Sequence, residues 1–154
     1  MAYVLKGRPG GCIACEALKA GVTAESLVLF RGKTCFVMLN RYPYQGAHLM
    51  VAPHRHTASL PDLPADEHLD LSETLRRALR ALGEVLRPDG FNVGMNLGTC
   101  AGAGVADHLH WHIVPRWPGD TNFMPILAET RVMPQHLLET YERLLPAFDW
   151  LARG

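Results

Sequence analysis

Three histidines alternate with apolar residues in His108-Leu109-His110-Trp111-His112-Ile113-Val114. Alternation with a period of two is the pattern of a half-buried β-strand, and on a strand residues i, i+2 and i+4 share a face. The spacing therefore predicts all three imidazoles on one exposed face, neighbouring rings about 6.6 Å apart. Leu109, Trp111 and Ile113 would turn to the core. Imidazole titrates near neutral pH and serves as nucleophile, acid or metal ligand, and clusters of such groups mark functional sites. Three ligands spaced this way on one strand do not converge on a single ion with bonds near 2 Å. The array is thus read as catalytic rather than as a catalytic metal centre.

A second group of reactive side chains lies far away in sequence. Of four cysteines, Cys12 and Cys15 form Cys-Ile-Ala-Cys, while Cys35 and Cys100 stand alone. In a reducing compartment such a pair binds metal or does redox chemistry more often than it forms a structural disulfide. Pro53-His54-Arg55-His56 offers two further imidazoles. Cys35 alternates with apolar residues and Cys100 falls in a Gly/Ala loop, so neither is assigned to a metal.

The elements that must hold these residues follow from periodicity and punctuation. A short helix is expected over residues 13–20, ended by Gly21. Strands are expected over 26–31, 34–39 and 48–52, joined by Gly32-Lys33 and by Tyr42-Pro43-Tyr44-Gln45-Gly46. Short connections make these three an antiparallel meander. Residues 65–86 have helical periodicity, with Leu69, Leu71, Leu75, Leu79, Leu82 and Leu86 on one side, and Arg87-Pro88-Asp89-Gly90 stops it. A fourth strand over 91–96, a loop over 98–104, a fifth strand over 109–114 and a late helix over about 134–145 complete the chain. The order predicts an α+β fold: an antiparallel sheet of about five strands with helices packed on one face.

With 154 residues the chain is expected to form one domain, its core at about 12–125 and a C-terminal helix and tail at 126–154. Net charge is zero and no run of Lys or Arg occurs, which argues against a nucleic-acid polymer as partner. No apolar stretch approaches 18 residues and the N-terminus lacks an apolar signal core, so a cytoplasmic protein with no membrane association is expected.

His-Leu-His-Trp-His-Ile-Val resembles the defining motif of the histidine-triad superfamily, His-φ-His-φ-His-φ-φ with φ apolar. Asn40-Arg41-Tyr42-Pro43 with Gly46-Ala47-His48-Leu49-Met50-Val51, Phe91-Asn92-Val93-Gly94-Met95-Asn96 and Val114-Pro115-Arg116-Trp117-Pro118-Gly119-Asp120 are similar to further segments of that family. The resemblance implies a homodimer binding a purine nucleotide or dinucleoside polyphosphate beside the triad strand. It implies attack of His110 on the α-phosphorus, with His112 donating a hydrogen bond to phosphate or leaving group. It further implies nucleotide contacts from Asn40, His48 and Asn96. Backbone amides of the Gly/Ala loop, at Gly102 and Gly104, are read as a phosphate cradle from the loop's place before the triad strand. A zinc-binding subset of the family matches here at Cys12, Cys15, His56 and His108, a closed set suited to structural Zn²⁺. On alternation His54 and His56 point the same way and compete for the third place; the family register favours His56. A backbone carbonyl on a neighbouring strand is expected to fix the tautomer of His110.

The chain departs from the pattern at one place. Many members follow the Ala-Gly of the phosphate loop with Gln and then Ser or Thr, whereas Ala101-Gly102 is followed here by Ala103-Gly104. Neither side chain can donate a hydrogen bond. The main expectation is an enzyme, a nucleotide hydrolase or nucleotidyl transferase acting on a dinucleoside polyphosphate such as diadenosine tetraphosphate through a covalent nucleotidyl-histidine. The altered loop raises a phosphorylase that uses inorganic phosphate as acceptor. A nucleotide-binding signalling module with little turnover is the reading from another class. Arg116 is a candidate for phosphate charge and Asp107 a further candidate near the site.

Overall fold

The segments 35–39 and 49–53 carry no charged residue to turn outward, the pattern of strands covered on both faces. The computed structural model, which describes residues 11–120 and 135–149, orders the chain as α1 (Ile13–Ala20), β1 (Val28–Arg31), β2 (Cys35–Leu39), β3 (Leu49–Pro53), α2 (Ala65–Leu86), β4 (Gly90–Met95), β5 (Trp111–Arg116) and α3 (Gln135–Asp149). Every residue of β2 and β3 is buried. The expected tail, and the stretch 121–125 counted into the core, lie outside the described residues.

The five strands form one antiparallel sheet in the order β1-β2-β3-β5-β4. The meander β1-β2-β3 is as expected, and α2 then carries the chain across so that β5 inserts between β3 and β4. This places His112 beside two strands at once, opposite Met50 of β3 and Gly94 of β4.

One expectation needs correcting: the helices do not share one face. Helices α2 and α3 cover one side through Leu71, Leu82, Leu144 and Phe148, packed on Leu29, Val37, Leu49 and Ile113. Helix α1 covers the opposite side, where Ala14 and Ala17 meet Val28, Phe36, Met38 and Met50. The two-sided burial of β2 and β3 has this cause. Helix α1 stops at Gly21, whose φ of 74° places it where L side chains are strained and whose N–H reaches back to Ala17 and Leu18.

Leu69 also departs from expectation, being 71% exposed. It sits two residues from the buried Leu71, about 200° around the helix, so it falls outside the stripe of Leu71, Thr74, Ala78, Ala81 and Leu82.

The fifth strand begins at Trp111, two residues later than its sequence implies. The β3–β5 ladder ends at Val51 opposite Trp111. Pro53 has no N–H with which to extend it, and the Leu109 N–H instead bonds the Thr57 carbonyl at 2.8 Å. Leu109 and Ile113 are buried as expected, and Trp111 partly so.

Candidate functional site

Because β5 starts at Trp111, only one of the three histidines lies on the strand, and they do not form an exposed row. His108 is fully buried and His110 is 7% exposed. The rings of His110 and His112 meet edge-on with centroids 4.7 Å apart, well inside the spacing expected along a strand. His108 instead turns toward the N-terminal cysteines.

The His110 Nδ1–H donates to the carbonyl of His108 at 2.9 Å. The expected tautomer-fixing carbonyl therefore comes from the residue two places back, not from a neighbouring strand. Nε2 is left with its lone pair, which is the nucleophilic form of imidazole. Burial holds His110 below the usual imidazole range, partly offset by that carbonyl, so the ring is neutral at pH 7.

A chain of hydrogen bonds orients His112. The Tyr44 backbone N–H, which can only donate, approaches His48 Nδ1 at 3.2 Å, and the Asn40 side-chain amide lies 3.3 Å from the same nitrogen. His48 Nδ1 is thus an acceptor, and its proton sits on Nε2. That nitrogen lies 2.8 Å from His112 Nδ1. His112 in turn carries its proton on Nε2 and is a hydrogen-bond donor. Tyr44 stacks on His48 with centroids 4.9 Å apart and planes 26° apart, and its ring lies 5.9 Å from that of His112.

His48 is fully buried behind His112, and Asn40 spends its carbonyl oxygen on the Tyr42 N–H at 2.9 Å. The structure adds an orienting role for both beside the nucleotide contact that the resemblance implies, a role sequence does not reveal because it runs through the Tyr44 backbone N–H and through His112 on another strand. Tyr44 was missed: an aromatic in a Pro/Gly-punctuated hairpin carries no mark of its stacking partner.

Burial, with His112 close by, pushes His48 down to about 3, and burial with His110 pushes His112 down to about 4. Imidazoles of the unfolded chain titrate near 6.5. Between these values the unfolded chain binds protons that the folded chain does not. Their contribution to stability is complete above about pH 6.5 and falls as pH drops toward 3. The urea midpoint is expected to be lower at about pH 5 than at about pH 7.5, with a shallower slope in His48→Gln. A slope identical in the variant would remove His48 from this role.

The second cluster also assembles. Cys12 Sγ lies 3.4 Å and Cys15 Sγ 3.5 Å from His108 Nδ1, and Cys15 Sγ lies 3.4 Å from His56 Nδ1. The four donor atoms are all within 4.8 Å of one another. A tetrahedral Zn²⁺ with Zn–S and Zn–N bonds of ordinary length separates sulfur from nitrogen by about 3.6 Å, so the donor set fits such an ion. The Nε2–H of His108 donates to the Pro53 carbonyl at 2.8 Å, fixing Nδ1 as the free ligand atom in the usual outer-sphere manner. Burial and the adjacent Cys12 thiol push the Cys15 thiol up, a repulsion that a dication would relieve. His56, not His54, joins the cluster; His54 packs against Phe36, and its Nε2 is buried without a partner. Cys35 and Cys100 stand apart as expected. Cys35 donates to the Thr74 hydroxyl at 3.0 Å, and burial pushes its thiol up to about 12, whereas Cys100 is exposed.

The loop after β4 is a tight turn. Gly102 has φ 89°, and the amides of Ala101, Gly102 and Ala103 bond back to Gly98 or Thr99 carbonyls. Gly104 lies outside this hydrogen-bonded turn. The Asn96 amide reaches the Gly102 carbonyl at 3.4 Å. Met95 pairs with Trp111, so continuing that register brings Asn96 level with His110. Arg116 is held by Asp120 at 2.7 and 2.8 Å and by Asn92 at 2.9 Å, which commits its guanidinium to internal partners. Asp107 is exposed.

The family model for the HIT domain matches residues 22–119. The chain is 48% identical over 126 residues to the AP-4-A phosphorylase of Mycobacterium tuberculosis, covering 82% of this chain and 64% of that protein. The chain thus spans 64% of the length of the curated relatives it matches there. Over 95 residues it is 33% identical to the asymmetrical bis(5'-nucleosyl)-tetraphosphatase of Schizosaccharomyces pombe, covering 62% of this chain and 52% of that one. Among solved structures, a Zn-bound histidine triad family protein from Mycobacterium smegmatis superposes with a TM-score of 0.73 at 28% identity, covering 93% of this chain and 96% of that one.

Proposed function

The chain belongs to the HIT domain family, and from that premise we propose that it is a nucleotidyl-transferring enzyme acting on a dinucleoside polyphosphate such as diadenosine tetraphosphate. The observation that carries this is the pairing of a neutral His110, pinned through Nδ1 with Nε2 free, against a donor His112. His110 Nε2 attacks an α-phosphorus, the bond to the bridging oxygen breaks, and ATP leaves. His112 Nε2–H stabilises the departing oxygen. The nucleotidyl-His110 then passes its AMP to an acceptor, restoring the imidazole.

Inorganic phosphate as acceptor, giving ADP, is the favoured reading. The M. tuberculosis relative supports it, as do the hydrogen-bond-incapable side chains of Ala103 and Gly104. Water as acceptor, giving AMP, is the second reading, supported by the S. pombe relative. Asn96 and Gly104 remain candidates for phosphate contact; the committed amide of Gly102 speaks for its role as a turn former.

Cys12, Cys15, His56 and His108 would hold a structural Zn²⁺, which would tie the segment preceding α1 to the residues leading into β5. The fit of the four donor atoms and the Zn-bound M. smegmatis neighbour support this. A homodimer is supported by β4 as an edge strand on which Val93 is 41% exposed, with Leu97 just beyond it 46% exposed. We further read the chain as one cytoplasmic domain. The placement of Cys12 and Cys15 as a candidate metal pair supports that setting. No helix among the described residues is long and apolar enough to cross a membrane.

Product analysis with diadenosine tetraphosphate tests the function. ADP and ATP formed only when phosphate is added is the expected result. AMP and ATP from water alone would replace it with the hydrolase. No turnover under either condition would leave the binding module.

A further inference from the structure

We propose that Cys12 and Cys15 are an oxidation site whose state is passed to His110 through His108. The inference rests on the structural-metal reading above.

His108 belongs to both constellations. Its Nδ1 lies 3.4 and 3.5 Å from the two thiols, while its own carbonyl accepts the Nδ1–H of His110 at 2.9 Å. The ring is fully buried and is otherwise fixed by Pro53 at 2.8 Å. The residue that anchors the metal thus also supplies the backbone atom that orients the nucleophile. Displacing it at one end moves the other.

The thiols are placed to react with each other. Cys12 caps α1 and Cys15 lies in its first turn, and their sulfurs are within 4.8 Å. Both are partly exposed and His56 beside them is exposed, so a small oxidant reaches the pair from solvent. With hydrogen peroxide the step balances. One thiolate attacks a peroxide oxygen, the O–O bond breaks, and a sulfenic acid and hydroxide form. The second thiolate attacks that sulfur, expels a second hydroxide and closes the S–S bond. Two electrons pass from sulfur to peroxide, and two protons from solvent make two waters. A disulfide joins its sulfurs at about 2.05 Å and leaves neither as a thiolate, so closure removes two of the metal's four ligands. His108 keeps its bond to Pro53 but loses the ligation at Nδ1, and the backbone carbonyl that anchors His110 loosens with it.

The exposed Cys100 is a competing thiol, so the test uses zinc-loaded Cys100→Ser protein of otherwise full sequence, treated with stoichiometric peroxide. About one equivalent of zinc is expected in a colorimetric chelator, with the loss of two hydrogens mapped to the peptide holding Cys12 and Cys15. The His110 Nδ1–H proton resonance is expected to shift or broaden, and nucleotidyl transfer to fall at least tenfold. Dithiothreitol with added zinc should reverse all four. Zinc retained after oxidation, or an unchanged His110 resonance after zinc release, would overturn the inference while leaving the metal site and the proposed activity standing. Protein that purifies without zinc and does not take it up would overturn the metal reading and this inference together. Loss of transfer with zinc in place would count against the activity's link to the pair.

Discussion

His110→Asn is expected to bind nucleotide nearly as well as the parent and to turn it over at least about 10⁵-fold more slowly, the scale on which removal of a covalent nucleophile acts. The asparagine amide still donates to the His108 carbonyl, so the local hydrogen bond at 2.9 Å survives. What disappears is the Nε2 lone pair that the proposed mechanism aims at phosphorus. Dissociation constants for a non-cleavable analogue should agree within about threefold, because a group that acts in the transition state contributes little to ground-state binding. Acid-quenched parent enzyme should retain labelled nucleotide on the protein and the variant none. Residual turnover within a hundredfold of the parent would eliminate the covalent route. His112→Asn should cost less, about 10²–10³-fold, since one hydrogen-bond donor to the leaving group is lost while the nucleophile stays.

Cys12→Ser with Cys15→Ser, or treatment with a strong chelator, is expected to lower the melting temperature by roughly 10–20 °C. Structural zinc contributes about 10–16 kcal/mol where a small fold depends on it wholly; about a third to a half of that here, roughly 5 kcal/mol, gives this shift at 2–4 °C per kcal/mol for a chain of this size. The loss is partial because the α2/α3 side of the sheet keeps its core of Leu71, Leu82, Leu144 and Phe148 without help from the cluster. The seam that suffers is the one between α1 and the residues entering β5. At a temperature where both proteins are folded, the rate should fall about tenfold, equivalent to about 1.4 kcal/mol. Stability is therefore the more sensitive readout. An unchanged melting curve in both the double variant and the chelated parent would remove the structural metal.

Much of this was legible from side-chain type alone. The apolar runs of β2 and β3, the periodicity of α2 and the glycine and proline punctuation located nearly every element, because each is a local rule. The Cys12/Cys15/His108 association was legible only through resemblance, since residues 93 and 96 positions apart carry no local sign of contact. Three features were not legible. The start of β5 is set by Pro53 and by the Leu109–Thr57 bond, so the alternation that announced a strand overran it by two residues. The tautomers of His110 and His112 are fixed by the His108 carbonyl and the Tyr44 amide, which every sequence possesses everywhere. The ties of Arg116 to Asp120 and Asn92 carry no sign in its own sequence position. In each case the deciding partner is main chain or lies on another element.

The chain from Tyr44 through His48 to His112 has a direction, and that direction limits how protons move in the proposed cycle. It begins at a peptide N–H, which does not ionise at any accessible pH, and is flanked by a carboxamide that does not either. If His112 gives its Nε2 proton to the departing oxygen, His48 can lean its own proton toward Nδ1 of His112, but nothing behind His48 can refill it. The line is a blind alley for charge, not a wire to solvent. The proton surrendered in the first half of the cycle must then come back through the front of the site, from the acceptor that attacks the nucleotidyl-histidine. A protonated phosphate brings one with it, and so does water. Turnover in mixed light and heavy water should accordingly depend linearly on isotope fraction where the His112 proton moves alone, and bow where the His48 proton moves with it.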